Sequence, residues 1–557
     1  MEKILDNRYY DLIIHNSMVP SFDSGNNITV LNETHSLLHI QKSSMDPCDL
    51  GRQPYDSFPS LFTLSSKVSM ERSGISNIQR VPQLGLFGSG IIIGVVDTGI
   101  DYLHQAFLNQ DGTTRILSIW DQTEGSGRPP NDFTFGSEYG ENHINTALRS
   151  ENPLSIVPTT DPYVHGTAIT SVIAGSPDQQ HSFTGVVPRS RLAVVKLKEA
   201  KKNLKDVFFV SENALCYQES DIILGIRYLI SVARRLSRPI VICIALGSSQ
   251  GGHDGNSPLS IYLNHLTAMH KTNAVVASGN EGNRGRHYFH NCIEDPFEHS
   301  FDLNAGQYDK KFFMEIWPFP PGRISIQISS PTGETIGTIS RPTSDCGKFT
   351  FSRSKTVVWI NNILLEGDSG DHLILVRFDN AVPGVWNFKL RNMQSAPFSF
   401  HCWLPSGDMI SNETYFSLSD PDTTITAPGN ARLPLTVTAY NQFDDTILEE
   451  SGRGYTRSNQ IAPDITAPGY RIPCAIPGNE YGTITGTGAA AAHGSGAAAM
   501  VVEWGFCKGN LTTLTGNQVN RMIIRGAQRS HALVYPNNIW GYGILDLYEL
   551  FKRITVF

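Results

Sequence analysis

The chain has 557 residues, 40% of them hydrophobic and 17% charged, which is enough apolar mass for more than one core and too little charge for a disordered polyelectrolyte. A formal net charge of −8 at pH 7 disfavours nucleic acid as the main partner, and no apolar run reaches the length that spans a bilayer, so no membrane partner is expected. The eight cysteines show neither CxxC nor disulfide-scaffold spacing, so free thiols are expected; no cofactor is expected, and without an EF-hand-like acidic loop no metal site is either.

Residues 1–70 read as a small appended domain. They hold apolar runs at 12–14 and 37–40, then a polar, proline-bearing stretch at 42–59. The opening MEKILDNRYYDLII lacks a basic segment followed by an apolar one, so no signal peptide is expected and a cytoplasmic or spore-associated location follows. Residues 71–296 change to an α/β rhythm. Continuous apolar runs at 91–96, 191–195, 241–246 and 273–277 predict buried parallel strands, with a helical pattern at 221–236 between two of them. The basic run KLKEAKKNLK at 196–205 predicts a strand edge and a solvated turn. At 297–408 the period changes to two: Ile324, Ile326 and Ile328 alternate with polar residues, as do Trp386, Phe388 and Leu390. Residues 373–378 and 398–403 are strand-like too, and an inserted all-β sandwich is predicted. The α/β pattern resumes over 409–557.

Three segments suggest chemistry. In GSGIIIGVVDTGID (88–101) a predicted strand ends at Asp97, where a carboxylate can fix the tautomer of an imidazole or cap the next turn. In HGTAITSVIAG (165–175), His165 stands ahead of a short apolar helix, as a general base or as a cap. GTITGTGAAAAHGSGAAAM (482–500) opens a helix so rich in alanine and glycine that close packing on all sides is expected. Its approach is APDITAPG (462–469).

DTGID, HGT and APDITAPG followed by GTGAAAAHGSG, in this order, resemble the three signature blocks of the subtilisin-like serine proteases, the subtilases or S8 peptidases. ASGNEG (277–282) resembles the family's oxyanion block and places Asn280 as the side-chain donor to an oxyanion. ALGSSQGG (245–252) resembles the strand that pairs with substrate and walls the S1 pocket, which implies Ala245, Leu246, Gly247 and Ser248 as substrate-binding. WGYGILDL (540–547) is similar to the closing segment. The short N-terminal piece and the β insertion narrow the resemblance to the clostridial Csp subtilases. In that group a prodomain precedes the catalytic domain and a β jelly roll interrupts it. Some members cut the precursor of a spore-cortex hydrolase, and others are pseudoproteases that regulate germination. The implied fold is a parallel sheet flanked by helices, with a prodomain-like 1–70 and a jelly roll at 297–408.

The last block departs from the family. Where Gly-Thr-Ser is the pattern, this chain has Gly486, Thr487 and Gly488, with Ala492 at the family's proline and Ala168 at the second histidine of HGTH. Glycine cannot attack a carbonyl. Ser495 lies about 10 Å further along the helix and Thr487 about 100° around it, whereas Thr485 on the approach is not excluded. Two functions follow. One is a pseudoprotease whose cleft binds a polypeptide or a partner protease without cutting. The other is an active serine endopeptidase working through an acyl-enzyme by an unusual hydroxyl.

Overall fold

The computed structural model describes residues 2–21, 27–42, 53–65, 67–69, 85–291, 297–320, 322–339, 347–393 and 398–554. Its centre is a mostly parallel sheet. Across it the strands run Leu435–Asn441, Thr272–Ala277, Ile240–Ile244, Ile92–Asp97, Arg191–Lys196 and Ile116–Asp121, all parallel, with Thr446–Ile447 and Ser137–Gly140 antiparallel at the edges. Helices on both faces explain why these strands read as unbroken apolar runs. Ile93 and Val95 face one core, with the helices His165–Ala174 and Thr487–Val502. Ile92 and Val96 face the other, with Glu219–Leu236 and Pro258–Ala268. Every residue of Thr487–Val502 is buried. Its small side chains allow this: a Cβ on Gly494 would lie 2.8 Å from Val437 of the sheet, and one on Gly496 only 2.5 Å from Val186.

Two antiparallel sheets form the inserted unit. The first has the order His287–Asn291, Ser399–Trp403, Lys311–Pro318, Leu373–Asp379, Val357–Ile363, Gly347–Thr350. The second runs Thr335–Ile339, Ile324–Ser329, Gly384–Asn392, Glu298–Ala305, Tyr415–Phe416. Their strands thus extend from His287 to Phe416, past 297–408 at both ends. One apolar cluster fills the space between them, including Phe312, Met314, Ile316, Trp386 and Phe388. The outer face of the first sheet is also covered. Phe313 and Trp317, alternating with the inner residues, join a cluster with Tyr10, Leu12 and Tyr55 of the N-terminal piece and Phe208 of the main body.

The N-terminal piece is a three-stranded sheet in which Tyr9–His15 and Ile28–Val30 flank His35–Gln41. The apolar runs at 12–14 and 37–40 are the centres of its two longer strands; of the polar stretch, residues 43–52 lie outside the described set. The expectation of a solvated turn at 196–205 is wrong. Its second half is the short helix Lys202–Val207, and Lys198, Lys201 and Lys205 are buried. Lys201 Nζ donates to both oxygens of Asp11 at 3.1 Å, and Lys198 Nζ donates to Asp221 at 2.5 Å. Sequence alone missed this because the neutralising Asp11 lies 190 residues away and arrives only when the N-terminal sheet docks. Among the described residues, no helix is long and apolar enough to cross a membrane.

Candidate active site

Asp97 ends the strand Ile92–Asp97, and His165 opens the helix His165–Ala174. Their contact is built by backbone proximity. A Cβ on Gly166 would lie 2.2 Å from the carbonyl oxygen of Gly99, so only glycine lets the helix start sit on the turn after Asp97. A second carboxylate, not singled out from sequence, locks the same junction. Asp161 accepts from Thr98 Oγ1 at 2.7 Å and from Thr167 N at 2.8 Å and Oγ1 at 2.7 Å, while Thr98 Oγ1 accepts from Gly166 N at 2.8 Å. The result is a buried pair, His165 Nδ1 to Asp97 Oδ1 at 2.8 Å, with Asp97 Oδ1 also accepting from Thr98 N at 2.7 Å. Among the described residues, the other ring nitrogen, Nε2, is buried and has no hydrogen-bond partner.

Gly488 is the second residue of the helix Thr487–Val502. Of the neighbouring hydroxyls, those of Thr487 and Ser495 donate elsewhere, whereas Thr485 lines the same cavity as His165. Thr487 Oγ1 donates to Asn280 Oδ1 at 3.0 Å and accepts from Gly279 N at 3.2 Å. Thr485 Oγ1 accepts from Arg471 N at 2.9 Å. Ser495 Oγ donates to Ala491 O at 2.8 Å, further along the helix. Asn280 Oδ1 also accepts from Thr487 N at 3.1 Å, so its oxygen is held by two donors and its amide nitrogen is left to serve another acceptor.

The groove is filled by the chain itself. The strand Leu61–Leu64 lies between two strands of the main body, antiparallel to both: Leu64 faces Leu246, Thr63 faces Gly247, and Phe62 and Leu61 face Tyr217 and Gln218. Ser65 N donates to Ala245 O at 3.0 Å, and Ser65 O accepts from Gly488 N at 3.0 Å. Ser248, the fourth residue expected to bind substrate, pairs with Ala427 instead. Beyond residue 66, the strand Lys67–Ser69 runs antiparallel to Glu480–Thr485. The described segments 61–65 and 67–69 of the chain therefore pair with strands of the main body. A cavity of about 480 Å³ beside the groove is lined by His165, Asn280, Thr63 and Leu64, with the buried pair Glu281–Arg286 at 3.1 Å on its wall.

Other charges anchor this N-terminal segment. Glu315 of the insertion accepts from Tyr55, from Gly251 N at 3.0 Å and from Trp317 Nε1 at 3.1 Å, joining all three parts of the chain. Burial pushes its carboxyl up to about 7 against those hydrogen bonds. For metal binding, the described residues offer one set of acids whose oxygens all lie within 4.8 Å of one another: Asp56, Glu366 and Asp368. Burial, and then the charges of Asp56 and Glu366, push Asp368 up to about 8.

The family model named Subtilase family matches residues 88–297 and 412–543, more than half of the chain. The structure of the CspB protease of Clostridium perfringens is similar at 28% identity and a TM-score of 0.76, over 86% of this chain and 96% of that one. Sphericase and the S41 psychrophilic protease each match at 16% identity over 83% of this chain and 92% of theirs, with TM-scores of 0.41 and 0.42, too low to support an argument. No protein of curated function matches the sequence.

Proposed function

The chain belongs to the subtilase family, and on that premise we propose that it is a Csp-like pseudoprotease whose own N-terminal segment occupies the groove as an uncut substrate. In this reading Asp97 orients His165, Asn280 and the Gly488 amide are the oxyanion donors, and Gly488 stands where the nucleophile is lost. The observation that carries it is the Nε2 of His165, which meets no hydrogen-bond partner among the described residues, while Gly488 at the nucleophile position offers a peptide N–H, bonded to Ser65 O, and no side chain. An imidazole poised by a carboxylate, with nothing to deprotonate, can bind a peptide but cannot form an acyl-enzyme. In subtilisin itself, loss of the serine lowers turnover by about 10⁶.

The groove's occupancy changes what a partner can touch. A polypeptide or partner protease must either displace residues 61–69 or bind another face. Under this reading the protein acts by contact, in the kind of regulatory setting that the Csp resemblance implies.

The test is Gly488→Ser. The unmodified chain should keep its full mass on storage. The variant should cut its own bond between Ser65 and Ser66, seen as a mass change, and addition of His165→Ala should stop it. Hydrolysis of casein by the unmodified chain, abolished by His165→Ala, would establish an active endopeptidase instead.

A further inference from the structure

We infer that the groove accepts only a small side chain, that of glycine, alanine or serine, immediately before the scissile bond, because Thr426 fills the space where a larger one would sit. This deepens the proposed reading and rests on the placement of Ser65 in the groove. Two glycines show where the space went. A Cβ on Gly247 would lie 2.3 Å from Thr426 Oγ1, and one on Gly279 would lie 2.4 Å from the same atom and 2.6 Å from Thr426 Cγ2. The threonine side chain therefore bridges the strand that pairs with residues 63–64 and the turn that leads to Asn280. It is 1% exposed, and it cannot easily move aside: Thr426 N donates to Ser278 O at 3.0 Å, and Ala427 pairs with Ser248 on the next residue.

The Ser65 hydroxyl stands against the same glycine, 3.4 Å from the Cβ position built on Gly247. Ser65 is itself buried. Its side chain thus lies on a floor made by Gly247, with Thr426 pressed against that glycine as well. Threonine to glycine removes three heavy atoms, and serine to leucine adds two. A leucine at 65 should therefore fit only once Thr426 is trimmed, as volume-conserving exchanges do in packed interiors. Leu64, by contrast, is only partly buried and lines the open cavity.

Amide hydrogen exchange of residues 61–65 in the full chain reads this out without catalysis. Ser65→Ala should exchange like the parent. Ser65→Leu should exchange at least ten-fold faster, and Ser65→Leu with Thr426→Gly should return to the parent's protection. Leucine as well protected as serine while Thr426 is intact would overturn the inference, as would failure of Thr426→Gly to rescue when Thr426→Gly alone is protected normally. If Thr426→Gly unfolds the chain, Thr426→Ala supplies the milder opening, and the same comparison decides. In the Gly488→Ser background, cleavage after alanine should exceed cleavage after leucine by roughly 10- to 200-fold, and Thr426→Gly should erase the difference. A Gly488→Ser chain that cuts nothing would count against the catalytic reading, while the exchange results would still decide the pocket.

Discussion

Replacing Asp11 by alanine should loosen the N-terminal piece from the rest of the molecule. Asp11 accepts from Lys201 Nζ at 3.1 Å on both oxygens, from Gln218 Nε2 at 3.2 Å, and pairs with His39 Nδ1 at 2.7 Å. The Lys201 and Asp11 side chains are only 5% and 3% exposed. At this separation and an effective dielectric of 20, the attraction is about 5 kcal/mol. Alanine would leave the Lys201 ammonium buried with the carbonyl of Lys3, 3.0 Å away, as an acceptor but with no carboxylate bonded to it. Breaking one side of such a pair costs about 3–5 kcal/mol, which lowers the docking equilibrium by roughly two to four orders of magnitude. Removing both charges, as Asp11→Leu with Lys201→Met, should recover most of that loss, because no uncompensated charge remains. Urea unfolding of the full chains, with amide exchange at 61–64, measures both effects.

Acidification supplies a control. Burial alone would raise Asp11, but the hydrogen bond from His39 and the charge of Lys201 hold it below its ordinary value. Its contribution is therefore present above the unfolded value near pH 4 and is lost as pH falls through the lower folded value. The parent's advantage over the doubly neutral variant should fade below about pH 4. A single-variant cost under about 1 kcal/mol, or a double variant no more stable than the single, would refute the buried-pair argument.

The Glu315 carboxyl, at about 7 in the fold, binds a proton that the unfolded chain releases near pH 4.3. Its folded pKa is raised, so the parent should gain stability relative to Glu315→Gln as pH is lowered from 8.5 to 5.5, read from thermal unfolding of both chains; a pH-independent difference would contradict this. Gly166→Ala places a Cβ 2.2 Å from the Gly99 carbonyl, with backbone and no yielding side chain opposite. It should destabilise the chain by about 1–3 kcal/mol or more in the same assay and, in Gly488→Ser, abolish self-cleavage by parting His165 from Asp97. In that background Asn280→Ala should slow self-cleavage about 10²- to 10³-fold, followed by intact mass over time. Thr487→Val should also slow it, since the valine cannot hold Asn280 Oδ1, and an unchanged rate would show that Asn280 is oriented without it.

Much of the site was written into local sequence. Asp97, His165, Asn280 and Gly488 were legible because each stands in a short block whose neighbours have few alternatives. The glycines at 99, 166 and 279 accept close approach or a positive φ, and the alanines and glycines of 489–499 let one helix pack against the sheet on all sides. The strands were legible for a related reason: a strand covered on both faces reads as a near-continuous apolar run, as in 92–96, and one with a buried and a more open face alternates, as in Gly384–Asn392.

Three matters were decided only when distant segments met. The lysines at 198, 201 and 205 look solvated until their acceptors arrive from Asp221, Asp11 and the carbonyls of Glu212 and Ala214. Ser65 looks like any linker residue until its carbonyl reaches the Gly488 amide. Thr426 has no local signal at all, because its effect depends on two glycines, 179 and 147 positions earlier, that face it across a gap smaller than one methyl group. Local chemistry determined which groups this chain presents at the candidate site. Long-range packing decided what those groups surround, since hydrogen bonds and excluded volume act over a few ångströms of space whatever the separation along the chain.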